Sequence, residues 1–417
     1  MMKRLNKRVA FGALAGFALL VTNVALPAQL PETTFHGLLR HQFAVTVADA
    51  LIVRNAVTGE LEVEVRGSMV DGYMNPYLEA EPEAAPRVGL REAYVDVYWT
   101  AVDLRVGRQI VIWGKSDGLA ITDIVSPRDL SNFLIPEFRE LRLPVTAVKA
   151  SVHFSPAELE VIYIPGFTPS MLPPPESIWY TSLDTPVEPA INPPPEVGPD
   201  LTDGEYYARF RLLAGRGDLD LSGGYYWTNE PSPTIVREFS SPGVLAGITV
   251  TPEHYRQAMG GFAASTALGP FVLRGESAFF TPRRVLTSDP AAALGYVERD
   301  GIDSLVGVDT SLAGINLSAQ LMHQIILDYD EAIREDEHRW TTTLRLRRAF
   351  LREQLVLDAF GYVGLNAPDA FVKIGTTWAP ADSLSFRAEA NLFFGESGRF
   401  GVHHGNDLVV ASVKYSY

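Results

Sequence analysis

Long stretches of this chain alternate apolar and polar residues with a strict two-residue period, and the polar face is often charged. In LSFRAEANLFF, Leu384, Phe386, Ala388, Ala390 and Leu392 interleave with Ser385, Arg387, Glu389 and Asn391. In LEVEVRGSMV, Leu61, Val63 and Val65 alternate with Glu62, Glu64 and Arg66, and in FVLRGESAFF Arg274 and Glu276 share one face while Leu273 and Phe279 share the other. Period two is the pattern of a β-strand with two different environments. Strands of a soluble sandwich average about five or six residues. The runs here are mostly about nine to fourteen, the length that crosses a bilayer at a tilt of about 45°. After Leu30 no apolar run is long enough for a spanning helix.

Short turns also alternate with long connections. The short ones fall at Thr58-Gly59, Thr100-Ala101, Ser155-Pro156, 215–217, 268–270, Ala313-Gly314, Leu351-Arg352 and 380–382; the long ones at 72–87, 113–142, 165–203, 229–253, 282–295 and 328–337. That rhythm predicts an all-β transmembrane antiparallel barrel of about 18 strands, with 16 as the alternative. The weakest strand is 50–57, placed between 35–47 and 60–73. The chain ends on a strand in which Val409, Ala411, Val413, Tyr415 and Tyr417 form an apolar-aromatic face. Tyr415 and Tyr417 resemble the terminal signal read by the outer-membrane barrel-assembly machinery.

The N-terminus carries Lys3, Arg4, Lys7 and Arg8, then an apolar run from Val9 to Val21 and small residues at Ala25 and Ala28. This layout predicts a cleaved signal peptide over 1–28, export, and a single barrel domain over 29–417 in the outer membrane of a diderm bacterium, with the lipid bilayer as its surroundings. With Lys+Arg 35 against Asp+Glu 50 the chain is acidic, and nucleic acid is excluded as a partner. There is no cysteine, so no disulfide framework holds the fold.

One stretch departs from plain alternation. LREAYVD (Leu90 to Asp96), LRVGRQIVIWGKSDG (Leu104 to Gly118), DIVSPRDL (Asp123 to Leu130), an FREL-RLP element ending at Pro144 and IPGFTP (Ile164 to Pro169) follow in order. Together they resemble the outer-membrane barrel family known as domain of unknown function 1302. The resemblance implies an integral outer-membrane barrel with the layout of alginate-export-type porins. It also implies work alongside inner-membrane exporters of the resistance-nodulation type and periplasmic lipid carriers.

Read from the residues, Glu92, Tyr94 and Asp96 share one strand face, and Arg105, Gly107 and Gln109 share the facing one. Alternation aims Arg108 at lipid, at a cost of roughly 2 to 4 kcal/mol at the bilayer midplane. The sequence therefore predicts a bulge at Gly107 that turns Arg108 inward, or a position for Arg108 near a rim. Beyond Trp113, the connection carries Lys115, Asp117, Asp123, Arg128 and Asp129. Ser126-Pro127 predicts a short helix over Pro127 to Phe133. The expectation is that 118–140 folds into the lumen as a constriction, its charges pairing with Arg66, Arg209, Arg211, Arg274, Arg345, Arg347 and Arg387. The lumen-facing sets read as mixed charge and not as an apolar lining. Residues 165–199, with Pro173 to Pro175 and Pro193 to Pro195, read as an exposed surface loop. His403-His404 reads as solvated loop, and no cofactor, metal or catalytic set is expected. Three functions fit this layout. One is a porin-like channel with a charged lumen and an unnamed solute. Another is a conduit for lipid or other hydrophobic molecules with a periplasmic carrier and exporter, and the third is a structural or adhesion protein.

Overall fold

The structure is a computed structural model that describes residues 32–417 apart from 83, 120, 139, 184, 198–202 and 242–243. The expected signal peptide at 1–28 lies outside the described residues. The alternating segments form β1 (Glu32–Thr46), β2 (Ile52–Arg66), β3 (Val70–Ala80), β4 (Arg87–Tyr98), β5 (Val102–Gln109), β6 (Val145–Phe154) and β7 (Ala157–Ile164). There follow β8 (Ala190–Ile191), β9 (Glu205–Ala214), β10 (Gly217–Trp227), β11 (Ser232–Ser241), β12 (Val244–Glu253), β13 (Arg256–Leu268) and β14 (Phe271–Leu286). The last are β15 (Tyr296–Leu312), β16 (Ile315–Ile326), β17 (His338–Phe350), β18 (Leu355–Gly364), β19 (Asp369–Ala381), β20 (Leu384–Phe394) and β21 (Leu408–Ser416). All except β8, β11 and β12 belong to one 18-stranded antiparallel sheet, and β1 pairs with β21, so the sheet closes on itself. Closure gives every strand two neighbours and removes the edges that lipid could not satisfy.

The register separates two faces. Phe35, Val306, Leu357, Ile374 and Val413 point outward and are exposed, as a lipid-facing belt requires. Glu276, Asp303, Gln320 and Glu389 point inward and are buried. At the seam Leu39 lies opposite Tyr415, and Gly37 and Tyr417 exchange two backbone hydrogen bonds of 3.0 Å.

The first hairpins differ from expectation. β2 runs unbroken through Thr58-Gly59, which pair with Arg40 and Leu39 of β1. The turn falls instead at Gly67, whose N–H donates to the Asp71 carboxylate at 3.0 Å and to the Val70 carbonyl at 3.1 Å. A side-chain acceptor stabilises a reversal there, and nothing comparable holds one at Thr58. The strands expected at 50–57 and 60–73 are thus one strand and the start of β3, and the connection expected at 72–87 shrinks to 81–86. The segment 229–253 forms the hairpin β11–β12, with β8 added in parallel.

Pairing through Gly107 is regular on both sides, so the expected bulge is not there. The shift lies one strand over, where Asn75 and Pro76 of β3 face Glu92 and Leu90 and leave Arg91 as the extra residue. Arg108 stays on the outward face as the penultimate residue of β5, and its Nε donates to the Leu90 carbonyl at 2.9 Å beside that shift. Gly107 has φ +136°, and a Cβ there would stand 2.3 Å from the Ala93 carbonyl oxygen. Gly107→Val is expected to destabilise the folded barrel by about 1–3 kcal/mol, read as a lower urea midpoint in refolding into lipid vesicles.

Candidate functional site

The connection from Ile110 to Pro144 leaves β5 inward. At its root the Glu92 carboxylate accepts the Ile110 N–H at 2.8 Å, and the Ser126 hydroxyl accepts that of Val111 at 2.9 Å. Gln109 is fully buried and donates to the Ala147 carbonyl at 3.2 Å. Below the root, Asp96 and Arg105 form a two-point pair at 2.7 and 2.8 Å, and Arg105 lies 3.7 Å over the ring of Tyr94. These residues are a wall element that supports the root.

Trp113 is the first anchor. It is 2% exposed, its indole N–H donates to Glu160 at 2.8 Å, and its ring meets Tyr207 edge-on at 5.9 Å. Arg209 closes this seat, 3.1 Å from Glu160. Beyond it, Lys115 reaches Asp218, with Asp220 at 3.4 Å, and Arg211 binds the other side of Asp220 at 3.2 Å. The Glu276 carboxylate accepts the Lys115 N–H and, at 3.1 Å, the Thr122 hydroxyl. Asp117 exchanges backbone hydrogen bonds with the Gln320 amide at 3.0 and 3.2 Å, and its carboxylate lies 3.4 Å from Arg274 and 3.9 Å from Arg345. Gly118 has φ +74°, and a Cβ would come within 2.6 Å of the Tyr362 hydroxyl, which donates to the Gly118 carbonyl.

The return leg crosses to the opposite wall. Lys373 donates to the carbonyls of Leu134 and Ile135 at 2.9 and 3.2 Å while paired with Glu389 at 3.2 Å, and Arg40 of β1 pairs with Glu140. One connection therefore holds inward groups on β7, β10, β14, β16, β18, β19 and β1.

No helix forms over Pro127 to Phe133. Arg128 bridges to Arg142 and Asp129 to Met171, and the Asp129 N–H donates to the Leu141 carbonyl at 2.6 Å. The expected cap, Ser126, is spent on Val111. Asp129 instead accepts the N–H of Ser131 at 3.0 Å. These tertiary hydrogen bonds occupy the groups a first helical turn would use.

The inner wall changes character along its length. Toward the short turns it is charged: Arg209 and Arg211 on β9, Arg274 and Glu276 on β14, Asp358 on β18, Arg387 and Glu389 on β20. Toward the long loops the same faces carry Tyr207, Phe280, Phe360 with Tyr362, and Phe393, all buried. The expected mixed-charge lining thus holds in the short-turn half, and in the long-loop half it is interrupted by these aromatics while persisting in pairs such as Arg54–Glu79 and Arg283–Asp303. Val111, Trp113, Ile121 and Val125 pack into one apolar cluster with the β6 to β16 wall; Leu134, Ile135 and Leu141 pack into another with the β18 to β1 wall. Each large apolar side chain fully buried is worth about 1.5–3 kcal/mol, whereas a half-exposed pair such as Asp117–Arg345 is worth about 0–1. The connection is seated mainly by dry packing, and charge sets its register.

Several predicted pairings do not occur. Asp123 binds Arg142 of its own segment, with Nε at 3.0 Å. Arg387 holds Asp358 at 2.9 and 3.0 Å, Arg66 binds Glu64 at 2.7 Å at the far end of β2, and Arg347 makes no ion pair among the described residues. Glu160, Glu276, Lys373 and the aromatic set were not anticipated. Their signal is the switch from charged to aromatic residues along one inward face, as in Asp358, Phe360, Tyr362.

The Pro-rich connection is not wholly exposed. Trp179 is 3% exposed and stacks on Phe133 at 5.4 Å, and Met171 and Ser170 hydrogen-bond to the inserted segment at Arg128. Phe133 holds φ +50° at this junction, a conformation that costs a residue of this size about 1–2 kcal/mol. His403 is not solvated either. It is 4% exposed, 4.8 Å from the Phe133 ring and 5.5 Å from Trp179.

With this geometry, the fold is that of an outer-membrane porin-type barrel. OpdK from Pseudomonas aeruginosa aligns with TM-score 0.54 at 11% identity, covering 93% of this chain and 99% of that one. OccK2 (OpdF) of the same organism, in complex with glucuronate, aligns with TM-score 0.53 at 12% identity over 92% and 98%. Acinetobacter baumannii OccAB3 aligns with TM-score 0.53 at 10% identity over 93% and 99%. The chain itself belongs to the family described as "Protein of unknown function (DUF1302)", whose model matches residues 55–417. No curated protein matches the sequence.

Burial lowers the His403 pKa, so the packed loop favours the neutral ring. The contribution is complete above the unfolded value of about 6.5 and is lost as pH falls through the lower folded value. Hydrogen-exchange protection over 395–407, taken relative to the intrinsic exchange rate at each pH, is expected to fall between pH 7.5 and 5, and His403→Phe to remove that fall.

Proposed function

We propose that the protein is a porin-like channel of the outer membrane whose permeation is set by the inserted segment 110–144. The observation that carries this reading is the ring of contacts from Trp113–Glu160 through Lys115–Asp218 and Asp117–Arg274 to Lys373 and Arg40, which spans the lumen from wall to wall. On the long-loop side the lumen is packed with side chains; on the short-turn side it is a charged vestibule. Within the membrane the short turns face the periplasm and the long loops the outside, the layout of barrels of this kind. Tyr415 and Tyr417, at the end of the closing strand, are the groups we assign to recognition by the assembly machinery.

A lipid conduit working with a periplasmic carrier would use an apolar lumen that opens sideways. The apolar clusters here are filled, and the β1–β21 seam is paired without interruption from Leu38–Ser416 to Thr46–Leu408. Those observations favour an axial aqueous path.

Replacing 118–140 by a short Gly-Ser linker removes most of the packed segment. Single-channel conductance in planar bilayers is expected to rise several-fold. A conductance equal to that of the parent protein would defeat this reading.

A further inference from the structure

Below Asp117, on the vestibule side, β14 to β17 border an open depression of about 440 Å³ whose floor is partly apolar (Val272, Leu317) and whose polar groups include Arg345, Arg347, Asn316 and Ser318. Its charges are unevenly matched. Asp309 is taken by Arg274, which also reaches Asp117 at 3.4 Å and the Ser318 hydroxyl at 2.9 Å. Arg345 is 45% exposed along its side chain and, among the described residues, its one acidic neighbour is Asp117, at 3.9 Å. Arg347 lies directly across from Asp358 in the sheet. That carboxylate is held at both oxygens by Arg387, at 2.9 and 3.0 Å, so Arg347 is left without an acid among the described residues. Three guanidinium groups therefore share two carboxylates, and the surplus positive charge sits on two side chains two residues apart on one face.

The neighbours are suited to an oxyanion. Asn316 lies opposite Arg347 and Ser318 opposite Arg345 in the register, which sets an amide and a hydroxyl beside the two cations. A carboxylate accepts hydrogen bonds at both oxygens and fits the planar fork of a guanidinium. Asp117 already places a carboxylate of the inserted segment near Arg345, at a distance too long for a hydrogen bond, so the guanidinium keeps donors open to another acceptor.

We infer that Arg345 and Arg347, with Ser318 and Asn316, form a binding site for the carboxylate of a small organic anion entering from the vestibule. The inference rests on the channel reading and names its solute class. Bound anion would also compete with Asp117 and so loosen one tie of the inserted segment.

Binding is measured without current, so that the site and the channel can fail separately. The full-length barrel, refolded in detergent, is dialysed to equilibrium against radiolabelled benzoate, with benzamide as the neutral isostere. The expected result is saturable benzoate binding and no benzamide binding. Arg347→Ala should weaken it at least 10-fold, Arg347→Lys should restore part of it, and Arg216→Ala, in the β9–β10 turn, should leave it unchanged. Circular dichroism melts confirm that each variant is folded. Absence of saturable binding, equal binding of benzamide, or unchanged affinity in folded Arg347→Ala would overturn the site. Binding intact in a barrel that passes no current, even without 118–140, would instead defeat the channel reading.

Discussion

Closure of the 18-stranded sheet is the constraint on which everything else depends. In a bilayer no water is available to satisfy the N–H and C=O groups of an edge strand, and the pairing of β1 with β21 removes both edges at once. Closure also creates an inside. Once strands such as β14 and β20 are locked in register, their alternate side chains have only two destinations, lipid and lumen. The outward set, Leu273, Phe279, Phe386 and Ala390, is the one lipid accepts. The charged set is forced together inside the barrel, where Arg283 of β14 meets Asp303 of the adjoining β15 and Arg387 of β20 reaches past β19 to Asp358 of β18.

The inside is not a uniform aqueous tube. Its long-loop half behaves as the core of a soluble domain, with the 110–144 segment supplying one surface and the barrel wall the other. Trp113 belongs to one cluster and Phe133 packs against the other, and the main buried charges beside them are paired: Glu276 with Lys115 and Thr122, Lys373 with Glu389 and two carbonyls. A segment seated this way is held by many small contributions and displaced only as a unit. The short-turn half, by contrast, leaves Arg345 and Arg347 exposed, and it is there that positive charge stays open to water.

Much of the architecture could be read along the chain because a strand's two faces are written at period two, a local property. Leu384 to Phe394 declares its lipid and lumen faces without knowledge of any neighbour. The strand boundaries near Thr58-Gly59 could not be read, because the choice between that turn and the one at Gly67 rests on the Asp71 carboxylate and on pairing with β1. The helix expected after Ser126 failed for a related reason. A capping pattern states a local preference, and the hydrogen bonds to Leu141, Met171 and Val111 come from residues it does not include.

The sequence by itself determined a closed barrel, its inward charges and the position of one long connection, since these follow from periodicity, strand length and the spacing of turns. Only the tertiary structure decided which charges meet. Lys115 finds Asp218, Asp123 turns to Arg142, and Arg387 takes the carboxylate that lies opposite Arg347. Such choices depend on how far one wall stands from another and on which side chain arrives first at a shared partner. Neither distance nor competition is encoded in a pattern of alternating residues.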